Sequence, residues 1–207
     1  MATTTITANA TTRRPAEITK ASYAPLAVLA LAQIGTSSDS AAMNLATASL
    51  VGTLGATLDD IQMATTLFSL IAGAFMIAGG LVGVTIGLHR ALAMGLSLAV
   101  AGEMVAALSP NIFAFTWGGR AIMGLGPCLI TPSVLGLVAA LYQGRQRAIA
   151  FGTIAGAAAL STLSPLALGI VMDSSGFRLT FAIMAIYFVL VLCCTRLIPR
   201  TPLSGNH

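Results

Sequence analysis

The sequence predicts an all-α membrane protein built as a bundle of six transmembrane helices, and three observations predict it. Hydrophobic residues make up 57% of the 207 residues, charged residues only 8%, and the mean hydropathy is +0.92, a balance no soluble domain shows. The apolar stretches last about 20 to 30 residues, enough to cross a bilayer at about 1.5 Å per residue. Short alternating stretches of the kind that build an outer-membrane barrel do not occur. Finally, most of the charges fall between the apolar runs.

In chain order, residues 1–22 are rich in Thr and Ala, carry Arg13, Arg14, Glu17 and Lys20, and hold no apolar core, so they read as a solvated cytoplasmic tail. The Arg13-Arg14 pair resembles that of an export signal, but no convincing cleavage site follows it, and the next run reads as an uncleaved first helix. Six spans are expected at about 24–52, 61–87, 91–109, 113–141, 148–172 and 178–197, within a transmembrane domain of residues 23–198. Residues 199–207 form a second cytoplasmic tail.

Orientation follows from the basic residues near the span ends. Arg13, Arg14, Lys20, Arg90, Arg145, Arg147, Arg196 and Arg200 all fall on one side, whereas the other side carries Asp59, Asp60 and Asp173 with only Arg178. Both termini are therefore expected in the cytoplasm, with the chain in the plasma (cell inner) membrane. The net charge of +4 reflects this distribution and implies no nucleic-acid partner. Cys128, Cys193 and Cys194 lie in apolar runs and imply neither a disulfide framework nor a metal site, and no cofactor is implied.

Charges within the spans are the exceptions to explain. Arg120 is the only charge in the run from Ile112 to Tyr142. At mid-bilayer it would cost roughly 2.5 to 3.5 kcal/mol, so it should face a protein interior or a watery cavity; the alternative is that its long stem reaches the headgroups. Asp39 lies deep in a polar stretch of the first span, Ser37-Ser38-Asp39-Ser40 followed by Asn44, and its short side chain cannot reach water easily. It is either a functional carboxylate or a structural one bonded to neighbouring helices. Glu103 sits nearer the outer end of the third span, where a structural role is the better reading. Gly79, Gly83 and Gly87 recur every four residues, as do Gly152 and Gly156, and such ridges let helices approach closely in lipid.

Several of these residues, taken in order, resemble the N-terminal six-helix half of the major facilitator superfamily, most like the drug:proton antiporters with 14 helices. Asp39, Asn44 and Ala46 resemble its first-helix pattern, with Ala48 where Pro is usual. Arg120, Gly124, Gly126 and Pro132 are similar to its fourth-helix motif, whose arginine is implicated in proton coupling. Arg147 with Gly152 resembles the pattern after the fourth helix. Pro165 and Gly169 resemble the antiporter motif of the fifth, with Ser164 and Leu168 where glycines are usual, and Phe177-Arg178 resembles the start of the sixth. In the loop between helices two and three, Gly80, Gly87 and Arg90 match, but Val84 and Thr85 stand where the family has an Asp-Arg pair.

The resemblance implies one half of a transporter that moves a small organic molecule, with Asp39, Arg120, Asn44 and Glu103 on a proton-coupled pathway and with a second six-helix half as partner, either another copy or a separately encoded C-terminal half. The implied direction is efflux. Two other classes stand beside it. One is a membrane protein that keeps the half-bundle but transports nothing, whether truncated or an interaction module. The other is an intramembrane enzyme, disfavoured because the two histidines, His89 and His207, lie outside the spans and no catalytic motif occurs.

Overall fold

The computed structural model describes residues 23–198, with side chains of 165–168 and 171–175 excepted, and every element it describes is helical. The expected tails, 1–22 and 199–207, lie outside the described residues. Helix α1 runs Tyr23–Leu54. It ends at Gly55, whose φ of 63° lies in the left-handed region that only glycine adopts readily. Helix α2 then starts at Leu58 on a reciprocal cap. The Asp60 backbone N–H donates to the Thr57 hydroxyl, and the Thr57 backbone N–H donates to the Asp60 carboxylate at 2.9 Å, which satisfies two otherwise orphaned donors.

The second expected span is two helices, α2 (Leu58–Ala74) and α3 (Met76–Ile86), bent by 46° at Phe75. Gly87, with φ 96° and ψ 134°, makes the sharp turn into α4 (Leu88–Leu108). The fourth span opens with a π-helical segment, Ala114–Arg120, and continues as α5 (Ala121–Leu141). Helix α6 covers Gly144–Leu160 and α7 covers Ser164–Cys194, with a short 3-10 turn between them.

The fifth span, expected unbroken over 148–172, is therefore interrupted at Ser161–Leu163. Pro165 has no N–H to donate to a carbonyl four residues back and crowds that turn, and it sits in the first turn of α7. The Ser161 and Thr162 hydroxyls bond back to the Ala158 and Ala159 carbonyls. Within α7 the helix is broken again at Gly176 (φ 74°, ψ −179°), close to the start expected for the sixth span.

By length and composition, three described helical stretches can cross a membrane, Leu88–Leu108, Ala114–Leu141 and Gly176–Leu197, and a fourth if the bent α2–α3 pair is one span. The count differs from six for a physical reason at each remaining site. Polar residues from Gln33 to Asn44 dilute the first helix, and the break before Pro165 shortens the fifth.

Helix α4 packs against α5 and α7, and α1 against α7. Small residues set the close approaches: a side chain at Gly102 would meet the Met123 backbone at 2.6 Å, and one at Gly79 would collide with the Cys128 carbonyl. The Gly152–Gly156 step behaves otherwise, since both glycines face open space. Two apolar clusters form the interior. One is centred on Leu29, Leu96, Ile130, Leu137 and Phe188, the other on Met43, Leu50, Phe115, Phe177 and Phe181.

Candidate functional site

Arg120 is 1% exposed and Asp39 is fully buried, so neither snorkels toward a headgroup. They meet although they lie 81 positions apart. The guanidinium donates through one terminal nitrogen to Asp39 Oδ2 at 2.9 Å and through the other to Oδ1 at 2.6 Å. This fork-to-fork geometry fixes direction as well as distance, and Lys could not reproduce it.

The local fold explains the aim of the arginine. The Ala114 N–H is capped by the Asn111 side chain at 2.8 Å, and the chain then winds as a π-helix, in which the Ala121 N–H reaches back to the Thr116 carbonyl. In a regular α-helix, residues five apart diverge by about 140°. The wider turn instead brings Phe115 and Arg120 to one side, with the Phe115 ring centre 5.7 Å from the guanidinium carbon. Phe68 of α2 stands at 5.4 Å and Phe181 of α7 at 5.2 Å. Three rings and one carboxylate, from four different segments, thus enclose the cation. Desolvated cation–π contacts of this kind contribute up to about 2 kcal/mol. Phe115 also packs edge-on against Phe177 and Phe181, at 6.2 and 5.4 Å.

Glu103 of α4 is fully buried too and lies within electrostatic reach of both Asp39 and Arg120. No donor reaches either of its carboxyl oxygens, but the carboxyl lies within hydrogen-bond reach of the Asp39 carboxylate, and the Nε of Arg120 has no partner. The small residues around it are what allow this placement: a side chain at Gly119 would press on Ala106 of α4 at 2.8 Å, so α4 and the π segment run nearly in contact.

The structure brings together three of the four expected pathway residues and leaves one out. Asn44 is exposed on α1, away from the buried face that carries Asp39. The residues of the expected motifs are distributed through the bundle. Gly124 faces the Phe68 carbonyl and Ile71 of α2, and Gly126 faces Ala99 of α4, while Gly80 lies opposite Pro132. Arg147 donates to the Ala139 carbonyl. Arg178 donates to the Ser109 carbonyl at 3.1 Å and stacks on Phe177. Gly87 is the α3–α4 turn, Arg90 is exposed, Gly169 faces open space, and the Pro165 side chain lies outside the described residues. Phe68, Phe115 and Phe181 were not expected at the site. Only the five-residue spacing of Phe115 and Arg120 carries a trace of it, and that spacing has meaning only once a π turn is assumed.

Solved structures with this architecture include a peptide transporter POT bound to sulfate (TM-score 0.75, 21% identity, 84% of this chain and 37% of that one) and the POT family transporter PepTSo (TM-score 0.75, 14% identity, 88% of this chain and 39% of that one). They show the fold alone. Among curated proteins, the chain is 30% identical over 180 residues to the methylenomycin A resistance protein of Bacillus subtilis, covering 86% of this chain and 38% of that protein. It is 28% identical over 166 residues to a probable actinorhodin transporter of Streptomyces coelicolor, covering 78% and 28%. The chain thus spans well under half the length of these relatives. The sequence pattern of the Major Facilitator Superfamily matches residues 29–206, and with the helical bundle and these relatives the conclusion is direct: the chain belongs to the Major Facilitator Superfamily.

Proposed function

We propose that the chain works as one six-helix half of a transporter that exports a small organic molecule in exchange for protons. In this reading it lies in the plasma (cell inner) membrane with both termini in the cytoplasm, paired with a second six-helix half. The observation that carries the reading is the buried, bidentate Asp39–Arg120 pair. Two charges in an apolar bundle give little net stabilisation, so a functional use explains their presence better than a structural one. A pair whose charge balance changes with a proton stabilises one conformation over another, which is what coupling requires. The resistance and transporter names of the relatives support the direction and the substrate class.

A second reading, a membrane protein that keeps the half-bundle without transporting, is favoured by one observation. Val84 and Thr85 are exposed where the family has a charged pair, and the Thr85 hydroxyl bonds only within its own helix, to the Val82 carbonyl. The experiment that separates the two reconstitutes the purified chain in vesicles, alone and with a second six-helix half, and measures dye movement under an imposed pH gradient. Movement only with both halves supports the proposal. Movement by a chain shown to be a monomer in the micelle contradicts the half-transporter reading, and no movement with any second half contradicts transport.

A further inference from the structure

We propose that Glu103 is the group that holds the exchangeable proton of the buried charge site and that it is the alternative partner of Arg120. The inference rests on the proton-coupled reading above and deepens it.

Three ionisable groups share one interior: Asp39 from α1, Glu103 from α4 and Arg120 from the π segment. With one proton shared among them the site is neutral; with none it carries one uncompensated negative charge in a medium that penalises charge heavily. The hydrogen bonds show which carboxyl has the cation. Both oxygens of Asp39 accept from Arg120, so Asp39 is the ionised partner. Glu103 accepts from no donor, is fully buried, and lies within hydrogen-bond reach of the Asp39 carboxylate, which suits a carboxyl that keeps its proton in this conformation and donates it to Asp39.

The unpartnered Nε of Arg120 supplies the second half of the argument. The guanidinium has an unused donor while a carboxyl with two unused acceptors lies within its electrostatic reach. When the Glu103 proton leaves as a hydrated proton, the resulting carboxylate competes with Asp39 for Arg120, and the three-ring cage must loosen for the cation to shift. The proton and the helix arrangement are then two readings of one equilibrium.

Among the described residues, the other segments packed on α4 bring no rival charge to the site. From α7, Arg178 is exposed and bonded to the Ser109 carbonyl, Tyr187 donates to the Leu31 carbonyl, and Asp173 is among the side chains not described. Helix α5 brings Cys128, bonded to the Leu125 carbonyl, and α3 brings no titratable group.

The sequence makes the test clean, because Glu103 shares its residue type only with Glu17 of the N-terminal tail. The unmutated chain is reconstituted in lipid near neutral pH, where a solvated glutamate with a pKa of about 4.3 is ionised, and infrared spectra are recorded for the carbonyl stretch of a protonated carboxylic acid. We expect one such band that shifts on carboxyl-13C glutamate labelling and disappears in Glu103→Gln, and that disappears in Asp39→Asn as well, because loss of the Asp39 charge leaves Arg120 to an ionised Glu103. A band that persists in Glu103→Gln and shifts on carboxyl-13C aspartate labelling overturns the proposal and moves the proton to Asp39. Absence of the band from the unmutated chain overturns it as well. Because the labelling needs neither substrate nor second half, it is decided independently of transport. A chain that moves dye without drawing on a pH gradient defeats the coupled reading, whereas gradient-driven transport at full rate in Glu103→Gln defeats this inference alone.

Discussion

Asp39 and Arg120 depend on each other more than either contributes alone. Removing one partner leaves a buried, uncompensated charge, a change that costs about 3 to 5 kcal/mol, whereas replacing both with apolar residues of similar volume is often near neutral. Thermal unfolding in mild detergent should therefore show Arg120→Met strongly destabilised and Asp39→Leu less so, because Glu103 can supply Arg120 with a replacement carboxylate, with the double variant recovering most of the Arg120→Met loss. Additive losses in the double variant would show that the two side chains do not form one unit. At the opposite end of the cost scale is Asp60. It is partly exposed, and its carboxyl is held below the usual carboxylate range by the Thr57 backbone N–H first and the Thr57 hydroxyl second. A depressed carboxylate stabilises the folded form above its unfolded-state value, and the contribution fades as pH falls through the lowered folded value. An NMR titration of the Asp60 carboxyl should place its midpoint below that of a free aspartate and move it upward in Thr57→Ala. An unchanged midpoint in that variant would remove the hydroxyl as a cause and leave the Thr57 backbone N–H alone.

Among the elements, glycines mark which helix faces touch. A side chain at Gly79 would collide with the Cys128 carbonyl of α5, while Gly152 on α6 meets nothing within 4 Å. Overpacking a tight contact costs typically about 1 to 3 kcal/mol. Gly79→Leu should thus lower the unfolding midpoint and Gly152→Leu should leave it nearly unchanged; equal effects would contradict the assigned faces. This contrast also shows how far the sequence could be read. Both ridges have the same four-residue spacing, and nothing in the spacing tells which one finds a partner. Lone charges were legible because Asp39 and Arg120 stand out in apolar runs, but their pairing spans 81 positions and is set by the crossing of α1 with the fourth span. Glu103 was placed near the outer end by counting along its helix, which gives depth but not direction, and its direction is inward. Asn44 lies apart from the charge site, on the exposed side of α1, a face that its polarity does not reveal. The break before Pro165 was legible in principle, since proline interrupts the bond four residues back.

At the scale of the whole molecule, the proposed orientation in a membrane rests on the basic residues between helices. Arg90, Arg145 and Arg147 are all exposed, as residues at a cytoplasmic surface should be. Tags placed at either terminus should be shielded from impermeant label outside intact cells and become reactive after permeabilisation. A tag labelled from outside would reverse the orientation or make the number of crossings odd. The central claim, that the buried charge site couples a proton to movement of a substrate, is tested most directly in vesicles that hold the chain with a second half. The measurement compares counterflow exchange of a dye with accumulation driven by a pH gradient, in the unmutated chain and in Asp39→Asn, which keeps an oxygen for Arg120 but loses the charge. The account predicts that Asp39→Asn retains exchange and loses at least about tenfold in gradient-driven accumulation, a change of about 1.4 kcal/mol in coupling. Accumulation by Asp39→Asn equal to that of the unmutated chain would contradict it.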